Sequence, residues 1–130
     1  MSRELALAQP ARIHRQGTKG WRAPDRAVYV GRGTRWGNPY KVVQRNRCYA
    51  VLTDDGGVIY AHRDETEVRR VATDWYRAWF SGQPDLAAAA RRQLAGRPLM
   101  CWCPLPEPGD RDHCHAAVLL AIANEQEAQH

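Results

Sequence analysis

Residues 99–124 leave this chain few ways to fold. Leu99-Met100-Cys101-Trp102-Cys103 is short and apolar and reads as a strand. A proline-rich loop follows, and Ala116 to Ala123 is then apolar without interruption, which predicts a buried helix opening at Cys114-His115. Strand, loop and helix thus bring three of the four cysteines and an imidazole towards one place. On a strand, Cys101 and Cys103 leave the same face. The helix start offers free N–H groups and a partial positive charge, which is expected to favour the thiolate of Cys114. Three readings compete. The cysteines are plain core residues, as free cysteine often is. Or Cys101, Cys103, Cys114 and His115 hold zinc. Or they line a catalytic or ligand-binding pocket at the carboxyl end of the strand, where open α/β sheets place their ligands. C-x-C is tighter than the usual zinc knuckle and adjacent Cys-His ligands are awkward, so metal is not favoured and zinc stays the alternative cofactor. The pocket is the preferred reading.

The rest of the chain sets the bounds. Its 130 residues suit one domain, expected over residues 12–125 between flexible tails at 1–11 and 126–130. With no charged-then-apolar leader and no apolar run of membrane-spanning length, a cytoplasmic location and reduced thiols are expected. Charge is unevenly placed. Residues 1–47 hold 11 Lys/Arg against Glu4 and Asp25, a net +9, and residues 48–130 hold 8 against 12 carboxylates, a net −4. A basic third interleaved with Trp21, Tyr29, Trp36 and Tyr40 suits a nucleotide or nucleic acid as partner, and equally a solvated basic surface.

Ala27 to Val30 reads as a strand, and Arg12-Ile13-His14 as a short one. The ten residues from Gly31 to Tyr40 hold three glycines and a proline, so they form a loop. In it Arg32 and Arg35 suit phosphate, Trp36 suits stacking on a base, and Asn38 suits a polar edge. The loop fits neither the Walker pattern nor the dinucleotide fingerprint. Cys48–Thr53 and Val58–His62 flank Asp54-Asp55-Gly56-Gly57 and predict a hairpin. Asp64-x-x-Glu67 resembles a capping box, opening a helix over Glu65–Phe80 whose core stripe is read as Val68, Val71, Ala72, Trp75, Trp79 and Phe80. A second helix follows from Pro84-Asp85 and closes at Gly96. The loop before Cys114 supplies Asp110 and Asp112, the carboxylates nearest in sequence to the cysteines. With His115 and Cys114, Asp112 is a candidate for acid–base work.

Two stretches together carry a family resemblance. Tyr29-Val30-Gly31-Arg32-Gly33-Thr34, Trp36-Gly37-Asn38-Pro39-Tyr40, and Leu99-Met100-Cys101-Trp102-Cys103-Pro104 with Cys114-His115 resemble the domain-of-unknown-function family "four-three-two-six" of bacteria, actinobacteria above all, and their phages. The resemblance implies no activity. Its loop between the C-W-C strand and Cys-His is usually short, so Glu107 to His113 reads as an insertion lengthening the path between Cys103 and Cys114.

The expected fold is a small Rossmann-like α/β domain: a short, mostly parallel sheet with a β-hairpin and three helices, and the strands Ala27–Val30 and Leu99–Cys103 central. The expected function is a nucleotide- or nucleic-acid-directed ligand binder or enzyme, glycosidic-bond cleavage or transfer included. Ligand contacts are expected from Arg32, Arg35, Trp36, Asn38, Cys101 and Cys103, and chemistry from His115, Cys114 and Asp112. The alternatives are a zinc-supported nucleic-acid-binding module without catalysis, and a small phage or host interaction protein.

Overall fold

A computed structural model of the chain describes residues 11–125, so both expected tails, Ala11 apart, lie outside the described residues. In chain order come β1 (Arg12–His14), β2 (Val28–Tyr29), β3 (Lys41–Arg45), β4 (Cys48–Leu52), β5 (Val58–His62), α1 (Glu65–Ser81), α2 (Pro84–Gln93), β6 (Leu99–Cys101) and α3 (His115–Ala123). The strands form two sheets, a parallel one ordered β1-β6-β2 and an antiparallel one ordered β3-β4-β5. The expectation of one mostly parallel sheet is corrected here in two respects. β3 pairs with β4 from Lys41 opposite Leu52 to Arg45 opposite Cys48, making the hairpin a separate three-stranded sheet. Its turn is Asn46-Arg47, with Asn46 at φ 53°, a conformation that asparagine tolerates without the glycine that usually signals such a turn. And β2 is an edge strand, because β1 and β2 flank β6, with Arg12 and Val28 both in register with Leu99. β6 is central and buried at all three residues.

β6 stops at Cys101, two residues short of the expected end. The chain bends at Trp102 and Cys103, so alternation along a strand does not govern where Cys103 points. With both β2 and β6 parallel, the loops that follow them leave the same edge of the sheet.

α1 joins the two halves. Asp64 caps it, its Oδ1 accepting the Thr66 N–H at 3.0 Å. Glu67 does not complete the capping box. It accepts from Arg70 and Tyr60, while the Asp64 N–H goes to His62 Nδ1 at 3.0 Å. The buried stripe runs Val68, Ala72, Tyr76, Phe80, with Thr73 beside it. Of the expected stripe, Val68, Ala72 and Phe80 are buried and Val71 and Trp79 pack against the cores half-buried, while Trp75 falls outside it by one residue of helical phase. Trp75 is 44% exposed and leans on Tyr40, ring centroids 5.4 Å apart, and Tyr76 takes its place in the core. Val68 and Ala72 pack with Val51 beneath the antiparallel sheet, and Tyr76 and Phe80 pack with Val30, Leu99 and Leu119 beneath the parallel one. α3, apolar nearly all round, closes the second core over β6. Asn124 Oδ1 at its end accepts the Gly96 N–H at 2.8 Å, tying α3 to the turn after α2. Among the described residues no helix is long and apolar enough to cross a membrane.

Two consequences follow for stability. Tyr76→Ala should cost about 3–5 kcal/mol in a urea titration, the range for a buried large aromatic, and Trp75→Ala about 1 kcal/mol. Glu67, held at a pKa of about 2 chiefly by Arg70 and then by Tyr60, favours the folded state once ionised. Its contribution is full above the ordinary carboxylate range and is lost as the pH falls through that range towards 2. Glu67→Gln should therefore lower the stability plateau near neutral pH and flatten the acid limb between about pH 4.5 and 2, the two curves converging at its acid end.

Candidate functional site

The loops after β2 and β6 enclose a cleft of about 550 Å³ against one face of α1. Its inner wall is Cys101, Cys103, Cys114 and His115. Its rim holds Arg32, Lys41 and Arg69 with the carboxylate of Glu65. The paired motifs therefore share one site, as the parallel register requires.

A buried arginine fixes the inner wall. Arg12, only 8% exposed, stands on β1 next to β6. Its Nη1 donates to Cys101 Sγ at 3.2 Å and to the Cys103 carbonyl at 2.8 Å. Its Nη2 donates to the Pro104 carbonyl at 2.7 Å, and Asp112 accepts from Nε at 2.5 Å and Nη2 at 3.0 Å in a bidentate pair. Both ends of the long loop are thereby pinned to one guanidinium. Burial alone would depress the Arg12 pKa, but the Asp112 bonds and the neighbouring sulfurs of Cys114 and Cys101 hold it above its ordinary value. The added length of Glu107 to His113 does not part the cysteines: Cys101 Sγ and Cys114 Sγ are 3.0 Å apart.

Cys114 caps α3, its Sγ accepting the Ala116 N–H at 3.4 Å. The expected thiolate at this helix end is corrected by its surroundings. Cys114 is buried beside two other thiols, and its contact with the Cys101 sulfur at 3.0 Å, then its burial, push its pKa up. Cys103 is the half-buried member of the trio.

His115 Nε2 lies 2.8 Å from the Val30 carbonyl. A carbonyl only accepts, so Nε2 carries the proton and the Nδ1 lone pair lies on the Cys114 side, 4.0 Å from Sγ. Burial lowers the His115 pKa, partly offset by the Val30 bond, which favours this neutral tautomer. Tyr76 packs edge-on against the imidazole, centroids 5.3 Å apart, and donates its hydroxyl to the Trp36 carbonyl at 2.7 Å.

The glycine-rich loop is divided between the cleft and the core. Arg32 reaches the rim. Gly31 is needed there, because a Cβ at that position would come within 2.5 Å of the Tyr29 hydroxyl. Asn38 touches the cleft, but its side chain is engaged, donating to the Ala72 carbonyl at 3.2 Å and accepting from the Tyr40 N–H at 2.8 Å. Trp36, 6% exposed, belongs to the core and cannot cover a base, and Arg35 stacks on its ring at 4.5 Å, away from the cleft. Asp112 is committed to Arg12, and with Asp110 it lines a neighbouring hollow rather than this one.

Several residues in or behind the cleft wall had no sequence signal as site residues. Arg12 is one charge in a three-residue strand. Arg69 lies on a helix face with the pattern of a solvated one. Trp102, 50% exposed on the cleft wall, sits between two cysteines that draw the eye. Arg15 lies over both the Tyr29 and Trp102 rings, at 4.7 and 5.1 Å from their centroids.

Asp112→Asn removes the charge that matches a buried guanidinium and should cost about 3 kcal/mol in chemical denaturation. Asp110→Asn, on an exposed stretch of the same loop, should stay within about 0.5 kcal/mol of the parent chain.

No curated protein and no solved structure matches the sequence. The family described as "Domain of unknown function (DUF4326)" matches residues 13–125, a span that takes in every strand and helix above but for Arg12, the first residue of β1, and the whole inner wall of the cleft. The chain belongs to that family.

Proposed function

We propose that the cleft binds a nucleotide, with the phosphates at its basic rim and the base against its aromatic wall. The observation that carries this reading is the make-up of the cleft itself: three cations, Arg32, Lys41 and Arg69, face one carboxylate, Glu65, beside the exposed ring of Trp102. Arginine suits phosphate through its planar fork of donors, and a half-exposed tryptophan offers a base a stacking face. The position agrees with the habit of Rossmann-like sheets, whose ligands sit beyond the carboxyl ends of parallel strands. Binding is the reading the residues support. Of the carboxylates near the cysteines, Asp112 is committed to Arg12 and Asp110 faces a neighbouring hollow, and the one carboxylate at the cleft, Glu65, stands among the cations of the rim.

Thermal-shift titration with nucleoside mono-, di- and triphosphates tests this. A ligand at a hundred times its Kd should add about 2.7 kcal/mol of stability. Arg32→Ala and Arg69→Ala should each weaken binding about tenfold, roughly 1.4 kcal/mol, and reduce its salt dependence. Arg35→Ala, which alters only the cover of Trp36, should leave affinity unchanged. The absence of any shift with millimolar nucleotide would overturn the reading.

A further inference from the structure

We propose that Cys101, Cys103 and Cys114 bind a zinc ion on the inner wall of the cleft, with the fourth coordination position open to the cleft. The three Sγ atoms lie within 4.8 Å of one another. Zinc–sulfur bonds of about 2.3 Å at the tetrahedral angle set sulfurs about 3.8 Å apart, so side-chain rotations alone bring this trio around an ion. Three thiolates are a soft donor set, which zinc accepts readily.

The C-x-C spacing, tighter than the usual knuckle, still brings the Cys101 and Cys103 sulfurs within 4.8 Å of each other, and the awkward adjacent His115 is not needed as a ligand. The bend after Cys101 allows this, since the strand ends there and Cys103 does not stand two residues along a pleat. The cost of that bend is informative. It leaves Trp102, the largest apolar side chain of the segment, 50% exposed while the small thiol of Cys103 faces inward. A strand ending serving only the core would favour the opposite choice.

The surroundings fit a thiolate centre. An Arg12 N–H points at Cys101 Sγ and a backbone N–H, that of Ala116, at Cys114 Sγ. One zinc with three thiolates carries a net single negative charge, and these donors face it. His115 lies beside the cluster, its orientation fixed by the Val30 carbonyl, but it is not one of the clustered ligands. A three-ligand centre with an open position is the arrangement of zinc that binds water or a ligand, in contrast to the closed four-ligand sites of structural zinc.

The proposal stands apart from nucleotide binding, and its test uses no nucleotide. The full chain, purified under reducing conditions without chelator and exchanged into metal-free buffer after loading, should retain about one zinc per chain. Cobalt in place of zinc should give the intense near-ultraviolet absorption of sulfur-to-cobalt charge transfer, read on the unaltered chain and so independent of whether any variant folds. Cys103→Ser should lose about tenfold or more in zinc affinity and weaken that absorption, and Cys48→Ser should change neither. Loaded chain without bound metal and without the charge-transfer band overturns the proposal. So does full zinc affinity in Cys103→Ser, or a Cys101–Cys114 disulfide that persists under reduction.

Discussion

The guanidinium of Arg12 is the contact on which the rest of the site depends. It is buried, so its donors must be satisfied by protein, and they are: a sulfur, two carbonyls and a carboxylate, all from the segment between Cys101 and Asp112. Loops with three prolines and a glycine have little intrinsic order, and this one is ordered at both ends by a charge outside it. That arrangement explains why a long connection still delivers Cys114 to Cys101. It also explains why Asp112 is not available for proton transfer, despite its proximity in sequence to the cysteines. Removing either partner leaves a buried charge or a set of unpaired acceptors, both more costly than the pair is stabilising.

The structure has two cores and one helix common to both. Val68 and Ala72 face one sheet, Tyr76 and Phe80 the other, and the intervening turn of α1 presents Arg69, Ala72 and Thr73 to the cleft. Residues of the antiparallel half, Lys41 and Val42, complete the rim. The cleft is therefore a seam between two packed units, a common place for ligand sites. The family match extends over all three helices and both sheets but for Arg12 at the start of β1.

Much of the fold was legible because its signals are local. The hairpin has turn residues at its tip, α1 has its cap, α2 has proline at its start, and the apolar run after Cys114 has no other way to be buried. The errors arose where long-range pairing decides. Lys41–Arg45 is polar at its ends and becomes a strand because β4 offers it a ladder. Tyr76 displaced Trp75 from the core by one step of helical phase, a distinction that a run of aromatics at neighbouring positions blurs. For the site, the sequence marked the cysteines, His115 and Arg32 through composition and place after strands. It could not separate Trp36 from Trp102: both are tryptophans in loops after strands of one sheet, and only packing against Tyr76 sends the first inward and leaves the second in water. Arg12 was invisible for a similar reason, as its partners are about a hundred residues away.

The register of the parallel sheet has a bearing on how the molecule assembles. β1 and β2 hydrogen-bond to β6 alone, and Arg12 stands opposite Leu99, 87 positions later in the chain. The antiparallel sheet and α1 are, by contrast, contiguous from Lys41 to Ser81, and their contacts close short loops. Loop-closure entropy therefore orders the events. The hairpin sheet and its helix condense as a local unit, while the first two strands wait without partners until Leu99 to Cys101 arrives between them. The cleft is completed late on this ordering, when β6 brings the ladder and the Cys101 sulfur, and the segment after it brings the other two sulfurs and the remaining acceptors of the Arg12 charge.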